Sequence, residues 1–456
     1  MSSIVLLNIS LRPVFEKVRY AYSEPLDCLS IIAYAKQHGI SIAFKDMQLA
    51  FKGTVGSMEL GDAWESLCIS AREALAIYCD PMTLPLAIVL SQYHKVRYPA
   101  SRVILLGPSA SCVAKLIIDC FPFIDYVIEG EMEISFLKIV YNNRNKTKPV
   151  GRYIERGVVC SPLCSIDKLP FPEREPAPDA EYCISILASR GCPSGCNYCT
   201  SRRIWGNTHR VRKPTSVISE LEHIFACIIE GKIQRNMHIS FMDDDIAYDP
   251  EWLRRLDLLY EEKGVYSGDN GKSMLPFSCF SSVDTIDNKT IALLEKMGCK
   301  HIRLCINYNQ LRGALKELYT AQIIKCCTGV LDRINSVSIR FLYGFPYVSP
   351  EEVEQLMVLK TKLDSLGVVT LVTRLNPIYG SPLTTAYHGE FTLNETLMYL
   401  WLDSLFLDSK TNNAMMDLVR ENRDIFLSYY DYADALIPAK ESIISGYVGT
   451  AVSEVT

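Results

Sequence analysis

The sequence predicts an α/β fold with two units, a linker between them and a helical tail. Three observations support this fold class. Short apolar runs alternate with amphipathic segments in two separate regions, and prolines and polar residues concentrate between these regions. The chain also has 456 residues, more than the ~100–200 that one domain usually holds. We therefore divide it into 1–140, a linker at 141–182, a second unit at 183–388 and a tail at 389–456.

The first region predicts a doubly wound, Rossmann-like sheet. Apolar runs of strand length alternate with helical patterns, which implies parallel strands joined by crossover helices. Ligands on such sheets bind beyond the carboxyl ends of the strands. The expected strands are Ile4–Asn8, Ile40–Phe44, Ala74–Cys79, Arg102–Leu106 and Ile124–Glu129. The expected helices are Leu26–His38 and Leu84–Tyr98.

Between the two units the composition becomes polar and rich in proline. A run of asparagine and basic residues at 142–146 is followed by six prolines up to Pro178. Such a segment is typical of a linker with at most a small hairpin.

The second region repeats the strand–helix alternation five or six times, which suits a full or partial (β/α) barrel of the TIM type. The expected strands are Ile184–Ala188, His238–Met242, Ser278–Ser282, His301–Asn307, Ser338–Leu342 and Leu371–Leu375. The expected helices are one that begins near Thr215 and ends at Gly231, then Pro250–Lys263, Asn288–Met297 and Pro350–Leu366. The tail reads as helical over Leu393–Leu407, Asn412–Arg420 and Asp424–Ala435.

Composition narrows the function class. The formal net charge is -5 and no long basic run occurs, so we expect no nucleic-acid partner. The amino terminus lacks the pattern of a secretory signal, and the longest apolar runs are far shorter than the ~20 residues that span a bilayer. We expect a cytoplasmic protein without membrane contact.

A cysteine motif, SRGCPSGCNYC at 189–199, follows the first predicted barrel strand. Cys192, Cys196 and Cys199 have a spacing that can wrap a tight loop around one face of an iron–sulfur cube, whose usual ligands are thiolates. Three ligands leave one iron of a [4Fe–4S] cluster without a protein donor. Loops that follow barrel strands are where active sites of this fold lie.

Two other interpretations of the motif are weaker. A zinc site normally takes a fourth protein ligand, and the nearest candidate, His209, lies at an unusual spacing beyond an arginine-rich turn. Three unrelated core cysteines do not fit, because Gly191, Pro193 and Gly195 indicate a loop.

The motif resembles the signature of the radical S-adenosylmethionine (SAM) superfamily, and residues 1–385 resemble its cobalamin-binding branch. The second unit resembles the branch in four segments, and the first in two. The four are ISFMDDDIAYDPEWL (239–253), SSVDTIDNKTIALLEKMGCKHIRLCIN (281–307), FLYGFPYVSPEEV (341–353) and NPIYGSPL (376–383). The two are LLGPSAS (105–111) and DYVIEGEMEISF (125–136).

The resemblance implies site residues around the cluster. The cluster would be held by the three motif cysteines, and its open iron would take the amino and carboxylate groups of SAM. Residues implied to contact SAM are Tyr198, Asp243, Asp244, Ser281, Ser282, Asn307, Gly344 and Pro346. The alternative for the two aspartates is an exposed acidic loop or a helix cap, and the alternative for the two serines and the asparagine is a set of solvated polar residues at strand ends. Residues implied to face a corrin or its nucleotide tail are Gly107, Ser109, Gly130 and Glu131. No residue that would transfer a substrate proton can be named. Arg210 and Arg212 are interpreted as a solvated face.

Two positions depart from the pattern of the branch. Ser109 stands where the family often has histidine, and Asn307-Tyr308 stands where it often has glutamate and serine. No D-x-H-x-x-G sequence occurs, so cobalamin would lack a histidine ligand from that motif.

The resemblance implies a cobalamin-dependent radical SAM enzyme that methylates a carbon of a natural-product or peptide-derived substrate through a 5'-deoxyadenosyl radical and methylcobalamin. An external electron donor such as flavodoxin or ferredoxin would reduce the cluster. Several alternatives stay open. The same cofactors could serve a rearrangement, a cyclisation or an oxidation without methyl transfer. The first unit could be a degenerate domain that binds a substrate or a partner. A non-catalytic module and methylthio transfer to RNA fit the cysteine pattern less well.

Overall fold

The computed structural model describes residues 4–9, 22–47, 73–80, 83–144, 156–161, 163, 165–174, 182–206, 208–233, 237–263, 275–308, 310–311, 316–334, 336–343, 350–374 and 381–383.

Strands and helices alternate along the described chain. The strands are β1 (Ile4–Asn8), β2 (Tyr22–Ser23), β3 (Ala43–Asp46), β4 (Ala74–Tyr78), β5 (Arg102–Leu106), β6 (Tyr126–Ile128), β7 (Gly157–Val159), β8 (Tyr182–Ile186), β9 (Ser189–Arg190), β10 (Arg210–Val211), β11 (Met237–Phe241), β12 (Phe277–Ser282), β13 (Cys299–Cys305), β14 (Val337–Tyr343) and β15 (Val369–Arg374). The helices are α1 (Leu26–Gln37), α2 (Leu84–Arg97), α3 (Pro108–Cys112), α4 (Ala114–Cys120), α5 (Met132–Arg144), α6 (Ser201–Trp205), α7 (Pro214–Ile229), α8 (Pro250–Glu262), α9 (Asn288–Lys296), α10 (Lys316–Ile334) and α11 (Pro350–Ser365).

The first sheet is parallel, with the strand order β3-β1-β4-β5-β6-β7. Its side chains alternate between two buried faces, so the strands are nearly continuous apolar runs. Val5 and Leu7 pack into a core that includes residues of α2 and α4. Ile4 and Leu6 pack into a second core that includes residues of α1 and α5. A parallel sheet with helices on both faces confirms the α/β class.

The second sheet is also parallel, in the order β15-β14-β13-β12-β11-β8-β2. From β8 to β15 the spatial order follows the chain, which is the order of strands in a (β/α) barrel. One face of this sheet, including Ile184, Phe277 and Ile339, packs against the surrounding helices in a single large core. The opposite face carries polar side chains, among them Ser278, whose hydroxyl donates to that of Ser240 over 3.2 Å.

Most predicted elements occur within a few residues of their expected ends. Several helices were missed, among them α4 and α5 in the first unit and, in the second unit, α10. In α10, the buried residues Tyr319, Ile323, Cys327, Val330 and Ile334 have helical spacing. Gly329 resembles a helix breaker in the sequence, yet a Cβ at this position would lie 3.0 Å from Oδ1 of Asn288 in α9. The glycine therefore permits close packing of α9 and α10.

Two short strands depart from the predicted organisation. β7 completes the first sheet, although its residues belong to the segment interpreted as a linker. β2 comes from the amino-terminal region but pairs with β8 in the second sheet, where Tyr22 lies opposite Tyr182. The first sheet thus extends past residue 140, and the chain visits the second sheet before it completes the first.

Within the described ranges, none of the helices combines the length and the apolar character that a membrane crossing requires. The predicted helices of the tail at 389–456 lie outside the described residues, as do Gly344 and Pro346.

Candidate active site

The three motif cysteines lie in one loop at the carboxyl end of β8. Two short antiparallel strands enclose this loop, because Arg190 of β9 pairs with Arg210 of β10. Two glycines shape it. Gly191 has a φ of +94°, and a Cβ there would lie 2.3 Å from the carbonyl oxygen of Thr208. Gly195 has a φ of +65° and lies under the guanidinium group of Arg202. Larger residues would push the two sides of the loop apart.

The three thiols have raised pKa values in the protein without a metal. Burial raises the pKa of Cys192 and Cys196, and it raises that of Cys199 to about 11. Hydrogen bonds counteract part of this effect at each sulfur. They come from Ser194 to Cys192, from the Tyr198 hydroxyl to Cys196 and from the Ser201 amide to Cys199. Metal binding must displace protons from such thiols, because the thiolate is the ligand.

The three thiols lie close together, and thiolates are the usual ligands of an iron–sulfur cluster. Each thiol is close enough to another to affect its pKa, since Cys192 acts on Cys196 and both act on Cys199. Among the described side chains, no three His, Cys, Asp or Glu groups converge on one point where a lone ion would bind. Three thiolates that each bind a different iron need no common point.

Three consecutive aspartates at the end of β11 have different surroundings. Asp243 is buried and accepts hydrogen bonds from the Ala188 amide, at 3.2 Å, and from the Ser189 hydroxyl. Burial raises its pKa to about 6. Asp244 is exposed and accepts a 2.6 Å hydrogen bond from the Ser201 hydroxyl, beside the third cysteine.

Asp245, the third aspartate, is buried within a hydrogen-bond network. Its Oδ1 accepts from Ser281 at 2.9 Å and from the Ser282 amide at 3.3 Å, and its Oδ2 accepts from Thr285 at 2.7 Å. Of the three aspartates, Asp244 is thus the one that the structure directs toward the cysteine loop with exposed carboxylate surface.

The serines predicted to contact SAM take part in internal hydrogen bonds. Ser281 binds Asp245, and the Ser282 hydroxyl accepts from the Asp284 amide at 3.2 Å. Both serines are buried. Asn307 is half-buried, and its amide donates to the Tyr319 hydroxyl over 2.9 Å.

Tyr198 and Tyr308 connect the cysteine loop to the ends of two strands. The Tyr198 hydroxyl also lies 3.2 Å from the carbonyl oxygen of Ile306, and its ring meets that of Tyr308 edge to face at 5.8 Å. The Tyr308 hydroxyl binds the backbone of β14, donating to Arg340 and accepting from Leu342. The ring of Tyr308, which departs from the family pattern, therefore packs against the loop, while its hydroxyl binds β14.

The predicted residues of the first sheet lie at its carboxyl edge, in two different situations. Gly107, with a φ of +107°, packs against the backbone of Cys79, and the Ser109 hydroxyl is buried without a partner among the described residues. Gly130 and Glu131 instead contact the cysteine loop. A Cβ on Gly130 would lie 3.2 Å from the carbonyl oxygen of Ile204, and Glu131 forms ion pairs with arginines.

Sequence reasoning missed several residues that shape this region. Arg190 and Glu133 form a buried ion pair, and Glu24 joins β2 to the second sheet by accepting from the Ser185 amide at 3.0 Å. The interpretation of Arg210 and Arg212 as a solvated face was wrong, because both form ion pairs with buried glutamates. The sequence signal for this group was the position of Arg190, two residues before Cys192.

Comparisons with known proteins find similarity to methyltransferases and to radical SAM enzymes. No model of a protein family matches it. An uncharacterized methyltransferase of Pyrococcus horikoshii is 25% identical over 281 residues, which are 58% of this chain and 58% of that protein. The chain thus matches little more than half the length of that relative.

Two solved structures share the fold. One is the radical SAM methyltransferase TsrM from Kitasatospora setae with cobalamin and a [4Fe–4S] cluster bound; its TM-score is 0.60 at 16% identity, over 85% of this chain and 74% of that one. The other is the cobalamin-dependent SAM radical enzyme OxsB with aqua-cobalamin and SAM bound; its TM-score is 0.58 at 14% identity, over 98% of this chain and 75% of that one. The chain has the fold of cobalamin-dependent radical SAM enzymes, which confirms the resemblance found in the sequence.

Proposed function

We propose that this chain is a cobalamin-dependent radical SAM methyltransferase that acts on a carbon of a small molecule or peptide-derived substrate. One observation carries the proposal. Three thiols of a single loop lie at the carboxyl end of a parallel sheet, and the carboxyl edge of the first sheet packs directly against that loop. Cys192, Cys196 and Cys199 would ligate a [4Fe–4S] cluster.

The residues around the loop would bind and orient SAM. Asp244 binds Ser201 beside the loop and keeps exposed surface, and it would accept a charge-assisted hydrogen bond from the methionine ammonium group. Asp243 and Asp245 would hold the strand ends in place. Tyr198 would fix the loop through its two hydroxyl contacts. Gly344 and Pro346 remain a proposal for the adenine side of the pocket.

The first sheet would bind cobalamin at its carboxyl edge. The buried Ser109 hydroxyl fits a ligand there, because a buried hydroxyl without a partner is costly unless something satisfies it. Gly107 lets the chain turn closely against Cys79 at the same edge. When bound, the cluster supplies the electron that cleaves SAM and the cobalamin carries the methyl group.

The assignment of the two sheets to particular domains is part of the same proposal. The first sheet would be the Rossmann-like cobalamin domain and the second a partial barrel, closed by the helical tail. We also propose an electron donor such as flavodoxin or ferredoxin and a cytoplasmic site of action, since thiolate ligands need reducing surroundings. TsrM has been solved with its tryptophan substrate and a SAM analogue, and this precedent supports a small-molecule substrate.

A second candidate uses the same cofactors without methyl transfer, in a rearrangement, cyclisation or oxidation. The observation that favours it is the fold shared with OxsB, a cobalamin-dependent SAM radical enzyme. The two candidates differ in their products. Methylation consumes one SAM to S-adenosylhomocysteine and a second to 5'-deoxyadenosine, whereas a purely radical reaction yields only 5'-deoxyadenosine.

Anaerobic reconstitution tests both candidates. The full chain is loaded with iron, sulfide and cobalamin, reduced, and supplied with SAM. We expect 5'-deoxyadenosine from the wild type, its loss in Cys196→Ala, and its retention in Cys227→Ala, which alters a half-buried cysteine of α7 outside the loop. A wild type that makes no 5'-deoxyadenosine contradicts the radical class. S-adenosylhomocysteine supports methylation, and its absence favours the second candidate.

A further inference from the structure

A buried group of four charged side chains joins the two sheets beside the cysteine loop. Glu131 and Glu133 come from the turn after β6 and the start of α5, and Arg190 and Arg210 come from the two strands that enclose the loop. We call these four residues the interunit ion-pair cluster. Arg190, Glu131 and Glu133 are 3%, 4% and 1% exposed, so water does not compete for their contacts.

Arg190 is held by both glutamates. Its Nη2 lies 2.5 Å from Oε1 of Glu133, and its Nη1 lies 3.3 Å from Oε2 of Glu133 and 3.0 Å from Oε1 of Glu131. The guanidinium carbon lies 5.0 Å from the ring centre of Trp205. Two parallel hydrogen bonds and a stacked ring fix the plane of the guanidinium group, which a single charge contact would not do.

Arg210 completes the cluster from the opposite strand. Both of its terminal nitrogens lie 3.1 Å from oxygens of Glu131, and Nη1 also donates to the carbonyl oxygen of Leu163 over 3.0 Å. The amide of Leu163 donates to Glu131 over 2.7 Å. Glu131 therefore binds both strands of the loop and the segment that leads out of β7.

Arg190 holds Glu133 in its charged form. Burial alone would raise the pKa of Glu133, but the charge and hydrogen bonds of Arg190 outweigh it and lower that pKa. A buried pair of this kind costs desolvation, so replacing both partners by apolar residues is often harmless to stability, whereas removing one is not. Its distinctive contribution is a fixed geometry.

The ion pairs connect the cysteine loop to the carboxyl edge of the first sheet, and the proposed reaction must bring these two parts together. Arg190 is two residues before Cys192, and Glu131 follows the turn at the carboxyl edge of the first sheet. Gly130 and helix α6 are in close contact at the same place, since a Cβ on Gly130 would nearly touch the Ile204 carbonyl oxygen. A shift of the ion pairs would move the cysteine loop relative to the edge where Ser109 lies.

We propose that Arg190 is a positioning residue, which sets the cysteine loop against the carboxyl edge of the first sheet so that SAM and cobalamin meet in register. The inference rests on the proposed function. Glu131 and Glu133 act with Arg190, so Glu131 serves this alignment rather than a direct contact with the corrin. Displacements of about 1 Å between reacting groups can lower rates by about 100-fold.

The test compares two reactions, of which one needs only the second unit and the other needs both units. Reductive cleavage of SAM to 5'-deoxyadenosine needs the cysteine loop alone. Methyl transfer from SAM to added cob(I)alamin, measured as S-adenosylhomocysteine, needs both units in register and no substrate. The variants are Arg190→Lys and the paired apolar replacement Arg190→Met with Glu133→Met. The matched control is Arg174→Lys, since Arg174 is 4% exposed by side chain and forms buried ion pairs with Glu24 and Glu220, neither of which belongs to the interunit ion-pair cluster.

We expect both Arg190 variants to lower methyl transfer by about 10- to 100-fold and to leave 5'-deoxyadenosine formation unchanged, while Arg174→Lys changes neither. In the chain without cofactors, hydrogen exchange should rise at the Leu163 amide and in residues 189–211 of Arg190→Lys, but not in Arg174→Lys. Equal methyl transfer in wild type and variants would overturn the inference, as would a parallel loss of both products. A wild type that makes no S-adenosylhomocysteine contradicts the proposed function instead. In that case the hydrogen-exchange comparison still shows whether Arg190 fixes the cysteine loop.

Discussion

The hydroxyl of Ser201 donates a 2.6 Å hydrogen bond to the carboxylate of Asp244. Ser201 is two residues beyond Cys199, and Asp244 is at the end of β11, so this contact joins the cysteine loop to the neighbouring strand. The adjacent Asp245 faces away and binds Ser281, Ser282 and Thr285. Neighbours in sequence therefore have separate roles, and their substitutions should have separable effects.

Asp244→Asn should weaken SAM binding to the reconstituted protein by about tenfold, since a charged hydrogen bond contributes roughly 1.5–3 kcal/mol. Its free energy of unfolding should change by less than about 1 kcal/mol, because the side chain is exposed. Equilibrium dialysis with labelled SAM and urea unfolding measure the two quantities. Unchanged affinity would exclude Asp244 from the SAM site.

Asp245→Asn should have the opposite profile. Asparagine keeps one accepting oxygen and replaces the other by an NH2 group, so either the donors to Oδ1, from Ser281 and Ser282, or the donor to Oδ2, from Thr285, lose their acceptor at about 1–3 kcal/mol. We expect the free energy of unfolding to fall by roughly 2–3 kcal/mol in urea titrations of the chain without cofactors. A fall no larger than that of Asp244→Asn would contradict the assigned network.

Tyr198→Phe should loosen the cysteine loop without unfolding the chain. It removes the hydroxyl contacts to Ile306 and Cys196, which should cost about 1 kcal/mol of stability. A chelator should then remove iron from the reconstituted protein faster than from wild type. Tyr308→Phe is the matched control, because its hydroxyl binds the backbone of β14 and not a cysteine. Equal iron loss in the two variants would show that Tyr198 has no special role.

Gly107→Ala should be far more disruptive than Gly39→Ala. Both glycines have positive φ, but a Cβ at Gly107 would lie 2.4 Å from the carbonyl oxygen of Cys79, whereas a Cβ at Gly39 would meet nothing within 4 Å. Backbone strain alone costs about 1–2 kcal/mol, and the clash at Gly107 should at least double this loss. Thermal unfolding of the two variants provides the comparison, and equal losses would contradict it.

His301 should make the fold sensitive to mild acid. Burial, with help from Arg303 and His238, lowers its pKa from 6.5 to about 4. Between these values the unfolded chain takes up a proton that the folded chain does not, so stability falls as the pH falls, by about 3 kcal/mol in total. His301→Asn should flatten that part of the curve of unfolding free energy against pH. The exposed His223→Asn is the control, and identical curves for wild type and His301→Asn would contradict the assignment.

The sequence predicted the fold class and the cysteine loop because both depend on local patterns. Apolar runs such as Arg102–Leu106 predict buried parallel strands, and three closely spaced cysteines among glycines predict a loop, which the structure has at the end of β8. Helix α10 was missed, and the close approach of its Gly329 to Asn288 is a tertiary contact that no local pattern records.

The roles of individual polar residues could not be derived in the same way. Asp243, Asp244 and Asp245 are equivalent in a motif, and only the partners supplied by Ala188, Ser201 and Ser281 distinguish them. Glu131 matches a turn of the family, yet its partners lie 59 and 79 residues away in Arg190 and Arg210. A pairing over such distances is decided by how the two sheets meet.

The position of strand β2 in the chain determines whether the two units can be separated. The amide of Ser185 binds Glu24 across 161 positions of sequence. The chain forms β1 of the first sheet, then β2 at the edge of the second sheet, and then the remaining strands of the first sheet before it reaches β8. All strands of the first sheet except β1 therefore lie between the edge strand β2 and the rest of the second sheet. A cut within 141–182 would separate β8 from β2. The edge of β8 would then lack a hydrogen-bonding partner, and exposed strand edges promote aggregation. A chimaera that joins either unit to that of another protein at the linker would therefore lose this strand pairing.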